Sequence, residues 1–399
     1  MKSALRKHRL AGIGVALCLA LTACGGSGGG AGEVDGVTTY KLGAAMALSG
    51  GQGALGNDFV QYMQYGVEAA NQQYAADGIR IELVAEDTQA TAEIGVAALN
   101  KLASVENAPM VVTAWSAVVK AMAPMAEDLG VAVVNTGANS PELEAASGAL
   151  ANFFPLASLD VEALGTYMAE KEGKRRAAII YIDNATGQGA KDIYRKAFEA
   201  AGGQVVAVES VAPDAVDASS QVAKIAAANP DTVHVHTLSN EGPVVLRALR
   251  DQGLAAQVTT YAGVAEDAAA RQASGQAADG IIYTSVASVG SSDPDVAAIV
   301  ERFKQDKGRE APGLSYGIYM HDSVFLYAEA IKRLRASGRE VTGENIIQVF
   351  REGTPLPVRL QGEATFTDTL TIRKPIDLKR IVSSARPVVE DEKFVTLQP

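Results

Sequence analysis

From residue 40 onward the chain alternates short, continuous apolar runs with longer stretches in which apolar residues recur every three or four positions. The first run, residues 40–48, is too short for a buried helix and is bounded by glycines, so it reads as an interior strand. It empties into Ser49-Gly-Gly-Gln-Gly-Ala-Leu-Gly56, after which Phe59, Met63, Val67, Ala70 and Tyr74 share one helical face, with Asn57 or Asp58 as N-cap. Strands are then predicted over 79–85, 110–114 and 131–135, and helices over 92–105 and 118–129. The pattern pauses at Asn152-Phe-Phe-Pro155 and restarts with a helix over 159–171. Strands over 177–182, 204–209, 232–236, 258–261 and 281–285 alternate there with helices over 189–201, 219–228 and 243–252. Long helices over 294–307 and 314–335 follow, and then hairpin strands over 358–367 and 376–383. Such alternation predicts an α/β fold with parallel, doubly wound sheets in two successive units. Ligands in such sheets bind beyond the carboxyl ends of the strands, which places Ser49, Trp115-Ser116 and the loop from Asn135 to Ser140 on one rim.

The first 23 residues add a location. Lys2, Arg6, Lys7 and Arg9 precede an apolar run over 10–21, well short of a membrane span, so the segment reads as a signal peptide. Leu21-Thr22-Ala23-Cys24 resembles the bacterial lipoprotein box, in which the cysteine is lipidated and becomes the first mature residue. The glycine-rich stretch after it, within residues 24–36, reads as a flexible tether. Cys18 and Cys24 are the only cysteines, so neither a disulfide nor a cysteine metal site is expected in the mature body. The leader carries four basic and no acidic residues, and its removal takes the formal charge from −11 to about −15. An acidic body argues against nucleic acid and against adsorption to anionic lipid; the expected membrane contact is the lipid alone.

Several motifs suggest chemistry that their context does not support. Gly51-Gln-Gly53-Ala-Leu-Gly56 matches a dinucleotide fingerprint. However, the acidic residues at the next strand end, Glu86 and Asp87, lie too far along the chain to serve the ribose, and no P-loop lysine follows. The glycines are expected instead to let the backbone turn and approach closely. His234 and His236 alternate on one strand face, but two ligands without a third do not make a zinc site. His236 is expected as a hydrogen-bond donor at the rim, and Tyr261 as a contact at the end of its strand. Glu241, Glu266 and Asp267 stand at apparent helix starts, where the dipole alone accounts for an acid. His321-Asp322 lies inside a long helix with no serine nucleophile, so the chain is expected to be non-enzymatic and to use no cofactor. Trp115 offers either a stacking face or core packing.

Taken in order, the lipobox, Leu48-Ser49-Gly50, Glu86-Asp87-Thr88, Trp115-Ser116, Gly137-Ala-Asn-Ser-Pro-Glu-Leu143, Asp183 with Gly187-Gln-Gly189, and Gly362 with Phe366 resemble the type I periplasmic solute-binding proteins of the branched-chain amino acid transporter class. The resemblance implies two lobes joined by three crossovers. Lobe one would hold residues 37–154 and 286–354, and lobe two residues 155–285 and 355–399, closing as a monomer on a small solute. It implies an ABC permease and its ATPase as partners, with a ligand-sensing co-receptor as the alternative use of the fold. The family's carboxylate-binding serine falls on Ser116, and the next ligand-holding loop on Gly137 and Asn139. The family's two tyrosines fall on Leu55 and Thr186, and the glutamate that pairs with an ammonium falls on Ala262. The amine clamp is thus absent, so the solute is expected to be a carboxylate or amide without an α-ammonium, unless Glu241, Glu266 or Asp183 takes that role.

Only a thiol at position 24 can accept the diacylglyceryl group. Cys24→Ala is therefore expected to abolish incorporation of labelled fatty acid into the expressed protein, and equal labelling of variant and parent would refute the anchor.

Overall fold

The computed structural model describes residues 32–34, 36–286, 293–310, 313–386, 388 and 391–397. The predicted leader, Cys24 and most of the tether lie outside the described residues. No helix among the described residues is long and apolar enough to cross a membrane.

The first sheet contains β1 (Gly32–Val34), β2 (Val37–Met46), β3 (Ile79–Asp87), β4 (Met110–Thr113), β5 (Ala132–Asn135) and β6 (Leu150–Asn152). β2 pairs in parallel with β3 on one side and with β4 on the other, followed by β5 and β6. The short β1 runs antiparallel to the start of β2, so the predicted tether ends in a strand. The second sheet repeats the order. β7 (Arg176–Ile182) lies between β8 (Gln204–Val211) and β9 (Thr232–His236), then come β10 (Gln257–Tyr261) and β11 (Ile282–Ser285), all parallel. Two antiparallel strands, β14 (Ile376–Arg380) and β15 (Glu392–Leu397), complete it. In each sheet the chain starts in the interior, goes to one edge, and returns past its first strand. Each lobe therefore has a switch point, between β2 and β4 and between β7 and β9.

The helices are α1 (Gly53–Gln73), α2 (Ala92–Ser104), α3 (Ser116–Ala126), α4 (Ala157–Glu170), α5 (Ala185–Ala200), α6 (Ser219–Ala227), α7 (Glu241–Asp251), α8 (Ala262–Ala265), α9 (Ala268–Ser274), α10 (Pro294–Lys307), α11 (Leu314–Ala336) and α12 (Gly343–Arg351). The central strands β4, β5 and β9 are buried along their whole length, as expected of parallel strands covered on both faces. α11 is buried on nearly every face and packs against α1 in the core of lobe one.

Three differences from the sequence expectation stand out. First, α1 begins at Gly53, not after an N-cap at Asn57 or Asp58, so the second half of the glycine fingerprint is already helix. A Cβ at Gly56 would lie 1.8 Å from the Ala47 carbonyl oxygen, and one at Gly187 on α5 would lie 2.0 Å from the Ile182 oxygen. The opening strand–helix unit of each lobe uses a glycine for the same close approach. Second, the chain stays with the lobe-one core past Thr354-Pro355, where the third crossover is expected from the sequence, and enters the second sheet at β14. Leu356, Val358, Leu360, Phe366, Leu370 and Ile372 pack into the lobe-one core, and Asn152 bridges to Thr371. The predicted hairpin accordingly splits: β12 (Leu356–Val358) pairs with β13 (Gly362–Ala364), while β14 joins lobe two. Third, α12 was not anticipated; Thr342 caps it through Oγ1, which accepts from the Asn345 amide at 3.2 Å.

Gly56→Ala should lower stability by about 3 kcal/mol in urea unfolding, because α1 must back off the end of β2. Gly51→Ala, with nothing within 4 Å of the new methyl group, should change it by less than about 0.5 kcal/mol.

Candidate ligand site between the lobes

The loops that leave the carboxyl ends of β2, β4 and β5 meet those of β7, β9 and β10, and they line a cavity of about 60 Å³. Trp115, Ser116, Gly137, Asn139, Thr186 and Tyr261, all expected from the sequence, line it together.

Ser116 is the first residue of α3. Its hydroxyl oxygen accepts from the Ser140 amide at 3.3 Å and from the Thr186 hydroxyl at 3.0 Å. The second of these bonds crosses between the lobes. With both lone pairs engaged, the Ser116 proton is left to donate. The loop carrying Gly137 and Asn139 is shaped by the buried Asn135 side chain, which accepts from the amides of Gly137 (3.1 Å) and Ala138 (2.8 Å) and donates to the Ala138 carbonyl (2.8 Å). Asn139 is 3 % exposed, and its Nδ2 has no hydrogen-bond partner among the described residues. A buried amide donor without an acceptor costs about 1–3 kcal/mol, so this group is poised for an acceptor that enters the cavity.

The walls are aromatic. Trp115 adopts φ +65°, a conformation that a bulky side chain rarely takes, and its ring centroid lies 5.8 Å from that of Phe59. Phe59 stacks on Tyr316 at 5.8 Å, and Tyr316 stacks in turn on Phe154 at 4.7 Å. Phe59 and Tyr316 both line the cavity and were missed as site residues. The only signal in the sequence was their position at the starts of two helices, and nothing local shows that α11 returns to α1.

Ser49 and His236 are not part of this cavity. Ser49 donates to Asp87 through its hydroxyl (2.5 Å) and its amide (3.3 Å), and Asp87 also accepts from the amides of Leu48 and Gln89. The serine ties the end of β2 to the end of β3. His236 is fully buried behind Tyr261, stacked at 4.0 Å, and burial pushes its imidazole down to about 3, so it is neutral. Tyr261 stands in front of it and donates to the Thr237 carbonyl at 2.9 Å.

Of the residues where the family pattern departs, Leu55 and Thr186 line the cavity, whereas Ala262 is buried and its place is taken by Gly263. None of the acids considered as substitutes lines the cavity. Glu241 accepts from the Asp214 amide (2.8 Å), and Asp183 accepts from Gln188 (2.9 Å). Glu266 accepts from the Ser285 hydroxyl and the Ser315 amide, both at 2.7 Å. Asp267, read from the sequence as a helix-start acid, does cap α9 by accepting from the Ala270 amide at 2.8 Å, but it also lines the cavity. Among the described residues no group of His, Cys, Asp and Glu is placed to hold a metal ion.

A second carboxylate, Asp160, lies deeper, on α4. It accepts from the Thr284 hydroxyl at 3.1 Å and the Val161 amide at 2.9 Å, and no cationic side chain among the described residues pairs with it. Burial pushes its carboxyl up to about 7 against the pull of these two hydrogen bonds.

A periplasmic binding protein family model matches residues 39–376, and the chain belongs to that family. Among curated relatives, an amino acid binding protein of Pseudomonas aeruginosa is 26 % identical over 309 residues, covering 75 % of this chain and 81 % of the relative. Leu/Ile/Val-binding protein homolog 2 of Brucella abortus is 26 % identical over 310 residues, covering 77 % and 80 %. Two solved structures represent the fold neighbours. The branched-chain amino acid transporter substrate-binding protein LivJ from Streptococcus pneumoniae, in complex with isoleucine, has a TM-score of 0.74 at 18 % identity, covering 90 % of this chain and 99 % of its own. A solute-binding protein from Rhodopseudomonas palustris, in complex with 4-hydroxybenzoate, has a TM-score of 0.76 at 18 % identity, covering 90 % and 98 %. The two-lobed α/β fold is that of the type I periplasmic binding proteins.

The buried Asp160 gives stability a defined pH dependence. The folded carboxyl keeps its proton to about pH 7, whereas the unfolded chain releases it near 3.8, so this contribution declines as pH rises from about 4 to 7 and then levels off. Asp160→Asn should melt above the parent at pH 8, by an amount on the order of 2–4 kcal/mol, with the difference shrinking towards pH 4. An equal difference at both pH values would refute it.

Proposed function

We propose that this chain is an extracytoplasmic solute-binding protein that captures a small organic carboxylate with an apolar, planar body between its lobes. It delivers that solute unchanged to an ABC permease and its ATPase. The lobes meet at the three crossovers described above, and the solute shifts them towards the closed form by binding that form better. The protein acts as a monomer, tethered by lipid on Cys24 after removal of the leader.

The observation that carries this reading is the unpaired Nδ2 of Asn139, in the same small cavity as the Ser116 hydroxyl. α3 begins at Ser116 and α5 at Ala185, so two positive helix ends flank these donors. A carboxylate seated there would place its body against Phe59, Trp115 and Tyr316. Relatives of the fold bind both amino acids and benzoates, and the aromatic wall favours the second class. An α-ammonium enclosed in the cavity needs an acid, since an unpaired buried charge costs about 3–5 kcal/mol.

Asp267 supports a second reading, an amino acid whose ammonium faces that carboxylate. Calorimetry separates the two. On the first reading benzoate or 4-hydroxybenzoate binds, leucine, isoleucine and valine bind weakly or not at all, and Asn139→Ala weakens the acids about tenfold or more. Asp267→Asn should then leave the acids as tight or tighter. On the second reading the amino acids bind at sub-micromolar Kd, and Asp267→Asn weakens them about 100-fold; that result would overturn the first.

A further inference from the structure

The small cavity is not the whole cleft. It adjoins an outer chamber of about 1060 Å³ that has walls from both lobes, and Gln52, Leu55, Ser239 and Asp267 border both spaces. We propose that this chamber is a second subsite, which takes the distal, anionic end of an elongated organic acid between Arg247 of lobe two and Arg309 of lobe one. The inference rests on the carboxylate reading of the inner cavity and extends it to the size and charge of the whole solute.

The chain is acidic overall, with a formal charge of −11, yet its outer chamber is lined by four arginines, Arg247, Arg271, Arg309 and Arg386, against three acids, Asp58, Asp267 and Glu310. Two of the arginines have structural duties. Arg271 is 3 % exposed and makes a bidentate pair with Asp391 at 2.6 and 2.8 Å, and Asp391 also accepts from the Tyr283 hydroxyl at 2.8 Å. Arg271 further donates to the Ser383 carbonyl at 3.1 Å, which fixes the segment whose Ser384 and Val388 form one wall of the chamber. Arg309 is aimed by Asp58, to which it donates at 2.6 Å to each oxygen, and by the Phe303 ring 5.3 Å from its guanidinium carbon. A single nitrogen makes both of those bonds, so the remaining guanidinium donors are open to a second anion.

Arg247, on α7 across the chamber, donates to the Ala273 carbonyl, and no carboxylate pairs with it among the described residues. It is a cation in an acidic protein, without an ion-pair partner among the described residues, and it faces a space large enough for a chain of several atoms. The neck between the two spaces carries the Asp267 carboxylate, which repels an anion at that point. Leu55 supplies apolar surface at the neck, and Pro243, Val300 and Leu314 supply it in the outer chamber. Two seats for anions, separated by an acidic neck with apolar walls, fit a molecule with an acid at each end and a neutral body between.

The test is calorimetry with benzoate, 4-alkylbenzoates and 4-(ω-carboxyalkyl)benzoates of matched chain length, at fixed ionic strength. At one chain length the dicarboxylate should bind about tenfold more tightly than its neutral-tailed counterpart. Arg247→Gln should erase that difference and Arg309→Gln should reduce it. Thermal melting shows whether the Arg309 variant, which leaves Asp58 without its partner, is folded; Arg247 is exposed, and its variant suffices if not. If benzoate binds and no chain length gives the advantage, or the advantage survives in Arg247→Gln, the subsite is wrong and the inner site stands. If neither benzoate nor any derivative binds the folded protein, the carboxylate reading itself fails and the subsite falls with it.

Discussion

The side chain of Asn135 is the contact on which the site depends. Its amide nitrogen donates to Asn152 at 3.0 Å, while its oxygen holds the loop that presents Gly137 and Asn139. Asn152 donates in turn to the Leu143 carbonyl (2.9 Å) and the Thr371 hydroxyl (3.3 Å), and its backbone exchanges hydrogen bonds with Leu370 and Ile372. One buried carboxamide pair thus joins the ligand loop, the first crossover and the approach to the third. In an interior with a low effective dielectric such a network rigidifies when every member is satisfied, and breaking one member strands the rest. The geometry of the donors in the cavity and the geometry of the hinge are set by the same residues.

The two lobes arrive at this arrangement by repeating one solution. Each uses the same strand order, each opens a strand–helix unit with a glycine against the preceding strand, and each directs its switch point to the shared cleft. The lobes are not equivalent in what they bring. Lobe one supplies the Asn139 donor, Ser116 and most of the aromatic wall, whereas lobe two supplies Thr186, Tyr261 and the acid at the neck. Glu266 shows how they are held near the hinge. It reaches from lobe two to the Ser315 amide at the start of α11, where an anion beside a helix N-terminus is favoured.

Much of this was legible in the sequence because parallel strands buried on both faces write themselves as continuous apolar runs, and the strand ends then name the rim. Ser116, Asn139 and Thr186, named on that basis together with the family pattern, line one cavity. What was not legible depends on contacts distant in sequence. Tyr316 is separated from Phe59 by most of the chain, and only the packing of α11 on α1 brings them together. Period-two alternation puts His236 on a face of β9 but does not say that Tyr261 of the neighbouring strand will cover it. Ser49 sits at a strand end as expected, yet Asp87 across the parallel pair captures its hydroxyl. The segment after Thr354 reads as strand by composition, and only its burial against Phe153 and Phe350 assigns it to lobe one.

Trp115 combines two properties. It is the single tryptophan of the chain, and it forms part of the wall of the inner cavity, held at a positive φ beside the residue that bonds across the lobes. The indole emission of the whole protein therefore originates at one point, in the cleft. Its wavelength and quenching report the polarity and water content of that point alone, with no background from the rest of the fold. The molecule carries its own optical probe of occupancy, and neither a label nor a substitution is needed to read it.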